Sequence, residues 1–326
     1  MDATSLLSLP FVQDGLGRLE DELVGAVVSG DPFLDEVTTH LIAAGGKRLR
    51  PGLALASATL GRRAATREDL LGAVAVELVH LASLYHDDVM DEALVRRNVD
   101  SVNARWGNLV AIVAGDFLLA RSAEIAASLG TEIAGLLANT LGRLCQGQVT
   151  EVRSAFSVAR SEEEYLATIE GKTAALMSTS CRIGALTGSL DRAEVDILTT
   201  FGTCFGVVFQ LRDDILDVVA TDAELGKPAG QDLAEGIYTL PVLLALKDGA
   251  TAGELGALLG QPLDQPERDK ARAIVAGSGA IEASVAAGQR YVERAAQAAG
   301  ELPERAVGAA LTTLVRSLLD DLGPRS

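Results

Sequence analysis

The sequence predicts an all-α protein, and three observations carry that reading. Apolar residues recur at three- to four-residue intervals through most of the chain. No stretch alternates apolar and polar positions with β-branched enrichment, so strands are not expected. Two aspartate-rich segments, HDDVMDEALVRR at 86–97 and QLRDDILD at 210–217, each follow a strongly apolar run, as the polar end of a buried helix does. They lie in different halves of the chain. If they share one site the halves pack together, so one domain over 1–326 is expected, although length alone suggests two.

Residues 11–29 and 31–44 read as helices, with Leu16, Leu19, Leu23 and Val27 in register on the first and stops at Gly30 and Gly45–Gly46. GGKRLRP follows at 45–51. Its glycines free the backbone, Lys47, Arg48 and Arg50 bring positive charge, and Pro51 opens the next helix at a favoured first position. A helix N-terminus beside such cations suits phosphate, although a solvated basic loop has the same composition. A long helix is predicted over 67–94, burying Val74, Leu78, Leu81 and Leu84, with His80 seven residues before Asp87 on roughly the same face. His40 and His86 read as ordinary satisfied side chains. Residues 101–128 form one helix or two, and Asp116 inside an apolar helix needs a partner, which places it near the site. Residues 131–156 carry Gln146, Gly147 and Gln148. Residues 162–188 start at the cap SEEEY and are interrupted by Lys172 and Thr173, which face either a polar cavity or solvent. The Gly-, Asp- and Pro-rich segment 220–241, with Lys227, Asp232 and Tyr238, is a loop placed to act as a lid. The remainder reads as scaffold helices.

On a helix Asp87 and Asp91 sit one turn apart on one face. Such carboxylates repel, and oxygen ligands of this kind suit Mg²⁺. Arg96 and Arg97 close behind suit phosphate oxygens. Asp213, Asp214 and Asp217 repeat the arrangement. One acidic cluster is ordinarily a solvated helix face. Two that face each other are costly in a low dielectric unless cations and a polyanion such as a diphosphate lie between them.

The net charge of −17 argues against nucleic-acid binding and against a basic membrane-binding surface. Positive charge is instead concentrated at 47–50 and 96–97. Cys145, Cys181 and Cys204 sit in apolar contexts without metal-ligand spacing, so buried free thiols in a cytoplasmic protein are expected. The opening MDATSLLSLPFVQDGLG lacks the basic start of a signal peptide. No apolar run is long and uninterrupted enough to span a bilayer.

GGKRLRP at 45–51, HDDVMDEALVRR at 86–97, GQ at 147–148, KT at 172–173, FQLRDDILD at 209–217 and GKPAGQD at 226–232 occur in an order and spacing that resembles the trans-isoprenyl diphosphate synthases of the polyprenyl synthase family. Each motif is weak alone; together, over nearly the whole chain, they are specific. The resemblance implies an isoprenoid-synthase-type helical bundle around a central cavity, usually a homodimer. It implies a prenyltransferase that condenses isopentenyl diphosphate with an allylic prenyl diphosphate by Mg²⁺-dependent ionisation, condensation and elimination. It assigns Asp87, Asp88, Asp91, Asp213, Asp214 and Lys172 to catalysis, and about three Mg²⁺ ions to Asp87, Asp91, Asp213 and Asp217. It places Lys47, Arg50, His80 and Arg97 on the diphosphate of isopentenyl diphosphate, and Arg96, Lys172, Lys227 and Gln210, with Gln148 and Thr173, around the allylic one. Two positions depart from the pattern. Ile237 stands where many members carry Lys, so one phosphate contact is missing and Lys227 carries more of that load; Asn98 stands where glycine is frequent.

One turn before Asp87 the family places residues that limit the growing tail. Here they are Ala82 and Ser83, both small, so a product longer than geranylgeranyl is expected; Tyr85 and Phe117 are alternative floors. Ordinary helix packing also explains two small residues. The competing readings are a shorter-chain farnesyl or geranylgeranyl synthase, a class I terpene cyclase and a non-catalytic synthase subunit. A cyclase has no need of GGKRLRP, and such a subunit should have lost aspartates from one motif.

Overall fold

The computed structural model describes Leu9, residues 11–225, residues 228–320 and Leu322. Helix α1 (Val12–Ala26) is followed by α2 (Pro32–Ala43), which the Asp31 side chain caps by accepting from the Phe33 and Leu34 N–H groups. Helix α3 (Leu49–Thr59) is buried along nearly its whole length. Helix α4 (Arg67–Met90) opens on a reciprocal Thr66–Asp69 capping box and ends at the first aspartate motif.

A hairpin then intervenes that the sequence reading did not anticipate. Strand β1 (Val95–Arg96) pairs with β2 (Val99–Asp100), Arg96 opposite Val99. Its turn residues Arg97 and Asn98 have φ of 54° and 63°. That is the geometry of a tight two-residue hairpin turn, and Asn tolerates it where glycine is otherwise favoured.

Gly107, at φ 87°, divides the next segment into α5 (Val102–Trp106) and α6 (Asn108–Ser128). Helix α7 (Thr131–Ser154) follows. The single helix expected over 162–188 is three pieces: α8 (Glu162–Ile169), a wide π turn (Glu170–Ala174) and α9 (Ala175–Thr187). Helix α10 (Arg192–Val219) carries the second aspartate motif. By length and composition it could cross a membrane, contrary to the expectation that no such run exists, but Phe201, Phe205, Val207 and Val208 are fully buried in the core. The described residues of the 220–239 segment include two short helices, α11 (Asp222–Leu225) and α12 (Gln231–Ala234), and the Tyr238 hydroxyl accepts the Gly260 N–H at 2.6 Å. The scaffold helices are α13 (Leu240–Ala245), α14 (Ala252–Leu258), α15 (Gln265–Ala276), α16 (Ala280–Gly300) and α17 (Arg305–Arg316).

The largest apolar cluster joins α3, α9 and α10 to the C-terminal helices, and a second joins α1 to α4 and α6. A third packs Val76 and Val79 of α4 against Ile133 and Leu137 of α7 and Leu176 of α9. α4 and α10, which bear the aspartates, are thereby fixed by the core from both halves of the chain.

Candidate active site

A cavity of about 830 Å³ lies among α4, α6, α7, the π turn and α10. Part of its wall is polar: Lys47, Arg50, His80, Asp87, Arg96, Arg97, Gln148, Lys172, Thr173, Gln210 and Asp213. The rest is apolar, with Val79, Leu84, Leu119, Leu141, Leu144 and Phe209. A second cavity of about 480 Å³ shares Arg96, Lys172, Thr173 and Gln210 and adds Asp91, Glu151, Arg160, Tyr165, Asp214 and Ile237. Residues of both aspartate motifs thus border adjoining spaces.

In the first motif Asp91 caps α4, its N–H donating to the Asp87 carbonyl at 2.8 Å. Both carboxylates therefore stand at a helix C-terminus, where the backbone dipole already disfavours negative charge. Burial, reinforced by Asp91, pushes the Asp87 carboxyl up to about 6. Asp88 is fully buried; Arg96 Nε donates to its Oδ1 at 2.7 Å, while its Oδ2 has no partner. Asp87 and Asp91, an oxygen-only pair that gains from positive charge, have the chemistry of a Mg²⁺ site. Among the described residues no three His, Cys, Asp or Glu side chains form a ready metal cage. A cation held there would need further ligands from elsewhere.

In the second motif Asp213 is exposed and borders the larger cavity, while Asp214 is buried. The Tyr165 hydroxyl and Gln210 Nε2, the latter at 2.8 Å, donate to Asp214, yet burial lifts its carboxyl to about 7. Thr173 donates to Gln210 Oε1 at 2.8 Å and links this network to the π turn. Asp217 borders neither cavity. Its carboxylate accepts the Asp232 N–H at 3.3 Å and its carbonyl the Gly230 N–H at 2.8 Å, so it ties the following loop to α10 rather than standing with the other proposed metal ligands.

The cationic wall separates by function. Arg48, with φ 44°, is fully engaged by Glu20, Glu77 and the Ile42 carbonyl. Arg50 is different: its Nε is buried without a partner, and burial lowers its pKa to about 10, which leaves it charged at neutral pH. Arg97 donates to the carbonyls of Leu41, at 2.9 Å, and Gly45. Glu77, 2% exposed, lies 2.8 Å from Arg48 and 3.9 Å from Arg97. The sequence reading missed it, although a carboxylate inside an apolar helical run is itself the signal of a buried partner. Burial and the surrounding guanidinium groups of Arg50, Arg97, Arg96 and Arg48 hold the His80 imidazole well below its usual pKa, hence neutral.

Several expected positions lie elsewhere. Ser83 borders the larger cavity, but Ala82 is fully buried in the second core cluster. Tyr85 is equally buried there and donates to the Val37 carbonyl at 2.8 Å; Phe117 packs against the same cluster and borders neither cavity. The reason is angular: His80, Ser83 and Asp87 share one face of α4, and residues 82 and 85 are rotated away from it. Asp116 is 67% exposed, 3.5 Å from His86, and has no buried partner to satisfy. His86 borders the larger cavity but is satisfied, as expected, by the Ile112 carbonyl at 3.2 Å, and His40 by the Asp100 carbonyl at 2.7 Å. Cys181 and Cys204 are buried, but Cys145 is exposed on the cavity wall. Lys227 falls outside the described residues.

The model of the polyprenyl synthetase family matches residues 31–276. Heptaprenyl diphosphate synthase component 2 of Geobacillus stearothermophilus is 40% identical over 294 residues, 90% of this chain and 91% of the relative. The crystal structure of polyprenyl synthase from Caulobacter crescentus CB15, complexed with calcium and isoprenyl diphosphate, matches with a TM-score of 0.90 at 30% identity and covers 98% of this chain and 97% of that one. Geranylgeranyl pyrophosphate synthase from Corynebacterium glutamicum, complexed with calcium and isoprenyl diphosphate, gives 0.83 at 36% identity over 96% of each chain. The acidic motifs, the basic 45–51 segment and both cavities all fall inside the matched residues, and the chain belongs to the polyprenyl synthetase family.

Proposed function

We propose that this chain, acting as one domain, condenses isopentenyl diphosphate with an allylic prenyl diphosphate and repeats the step to give a long-chain all-trans polyprenyl diphosphate. The observation that carries this reading is the placement of both acidic motifs beside one cavity whose wall is cationic on one part and apolar on the rest. Lys47, Arg50, His80 and Arg97 take the diphosphate of isopentenyl diphosphate. Arg96, Lys172, Gln210, Thr173 and Gln148 surround the allylic one, with Lys227 from the adjoining loop. Asp87 and Asp213 from the larger cavity and Asp91 from the second would hold Mg²⁺, about three ions shared with the diphosphate, and Asp217 supports them through its loop. Bound Mg²⁺ would neutralise the charge that grows on the leaving group.

The remaining steps belong to the chain's own residues. Lys172 and Arg96 border both cavities and stabilise the departing diphosphate by preorganised charge. Val79, Leu84, Leu119, Leu141 and Leu144 keep water from the allylic cation. The double bond of isopentenyl diphosphate attacks that cation, and the departing diphosphate takes the proton that is lost. Long products fit the small Ser83 on the wall and the heptaprenyl relative. The geranylgeranyl neighbour keeps a shorter product as the second reading.

A second chain completes the proposal. Leu109, Ile112 and Val113 of α6 are 76, 42 and 53% exposed, an apolar stripe that a partner would cover. A second copy is the occupant we propose. The Geobacillus relative is named as one component of a synthase, so a different chain is the other occupant. A purified protein that stays monomeric in solution would favour that one. The function itself is tested by incubating the protein with Mg²⁺, labelled isopentenyl diphosphate and each short allylic diphosphate, then sizing the dephosphorylated alcohols. Long polyprenols support the reading, a geranylgeranyl end point supports the shorter-chain one, and no condensation with any primer supports a non-catalytic subunit.

A further inference from the structure

Arg160 lies between α7 and α8, in a segment to which the sequence reading gave no role. It is 6% exposed and borders the second cavity together with Ile237. Its Nη1 donates to the Tyr238 carbonyl at 3.2 Å and its Nη2 to the Thr168 hydroxyl at 2.8 Å, and the guanidinium carbon stands 5.5 Å from the centre of the Tyr165 ring. Its Nε is buried without a partner.

The other two cations of this cavity are each held by a carboxylate, Arg96 by Asp88 and Lys172 by Glu151. Among the described residues none lies within ion-pair distance of Arg160. Glu151, whose charge acts on Arg160 most strongly, is paired with Lys172, and Asp214 spends its hydrogen bonds on Tyr165 and Gln210. A buried guanidinium that meets only neutral acceptors and keeps an idle N–H is costly, and the cost falls when an anion enters the space it borders. Burial draws its pKa down, yet it remains a cation.

We propose that Arg160 is a further diphosphate-binding residue of the second cavity, supplying there the positive charge that Ile237 does not. The proposal rests on the reading of these cavities as sites for two diphosphates. It is tested in two ways on the full chain, with wild type beside Arg160→Gln and Arg160→Lys. Calorimetry with inorganic pyrophosphate and Mg²⁺ reads the anion site without any condensation, and Arg160→Gln should weaken binding about tenfold or more. Steady-state kinetics should show KM for farnesyl diphosphate raised by a similar factor, KM for isopentenyl diphosphate within about twofold of wild type, and partial recovery on adding Ile237→Lys. Unchanged pyrophosphate binding, or both KM values rising together, overturns the proposal. If Arg160→Gln does not fold, Arg160→Lys decides: weaker pyrophosphate binding at an unchanged Tm supports the role, and a lower Tm with unchanged binding overturns it. A wild-type chain that binds pyrophosphate but joins no isoprene units fails the functional reading and leaves the anion site standing.

Discussion

Gly147 of α7 lies so close to Lys172 of the π turn that a Cβ there would sit 2.7 Å from the Lys172 backbone nitrogen and 3.1 Å from its Cα. The neighbour is backbone, so it cannot swing aside. The absence of a side chain at 147 is what lets the π turn approach α7 and bring Lys172 and Thr173 to the cavity wall. Gly147→Ala should therefore displace both. Overpacking of this kind costs about 1–3 kcal/mol, and a misplaced cation beside the leaving group should lower kcat/KM about tenfold or more. Circular dichroism should still report a folded helical protein. An Ala variant with wild-type turnover would show that this contact does not place Lys172.

Glu77 is the counter-charge of a buried arginine cluster. It pairs with Arg48 and lies within electrostatic reach of Arg50 and Arg97. Glu77→Gln keeps the shape and removes the charge, which leaves buried guanidinium groups uncompensated. Loss of one partner of a buried pair costs about 3–5 kcal/mol, and the urea midpoint should fall accordingly. An unfolding free energy within about 0.5 kcal/mol of wild type would mean that solvent or Glu20 balances the cluster without it.

The aspartate motifs were legible because carboxylates at the end of an apolar helical run admit few physical explanations, and two such runs admit fewer. The angular detail was not. Distance along α4 suggested Ala82 and Ser83 together, but consecutive residues on a helix point in directions about 100° apart, and only Ser83 shares the face of Asp87. The 95–100 hairpin was invisible because two-residue strands carry no alternation to detect. Arg160 was missed for another reason: its significance is a missing ion pair, which only the packed structure can reveal.

His80 should be neutral throughout the working range. Burial and the cluster of arginines hold its folded pKa below the ordinary 6.5. As pH falls through 6.5 the unfolded chain takes up a proton that the folded chain refuses. The stability this group contributes is thus fully present above 6.5 and declines below it. The stability gap between wild type and His80→Gln should narrow between about pH 7.5 and about pH 5.5. NMR should find the His80 imidazole, assigned by the signal that His80→Gln removes, still neutral at about pH 6. A His80 titration near 6.5 would overturn the assignment.

Removal of metal should matter more than removal of any one cation. Asp91→Ala leaves Asp87 without its partner at the end of α4, and turnover at ordinary Mg²⁺ should fall by about 10²-fold or more. Chelation should abolish turnover of wild type altogether. A variant that keeps full activity at low Mg²⁺ would remove Asp91 from the proposed ligand set.

Chain length should respond to Ser83 and Leu119, and not to Ala82. Ser83 of α4 and Leu119 of α6 both border the larger cavity, and Val79 beside them is backed by the third core cluster. Ser83→Phe puts a ring into the space the tail must cross, so the longest alcohol released from its products should shorten by at least one isoprene unit. Leu119→Ala removes wall on the other side and should lengthen it. Ala82→Phe is the informative control. Its Cβ points into the cluster of Leu78, Leu81 and Tyr85, so a ring there overpacks the core and should lower stability by about 1–3 kcal/mol before it touches the product. If instead Ala82→Phe shortens the product at an unchanged Tm while Ser83→Phe leaves it alone, the growing tail runs along a different face of α4, and the cavity bordered by Ser83 and Leu119 is not its path.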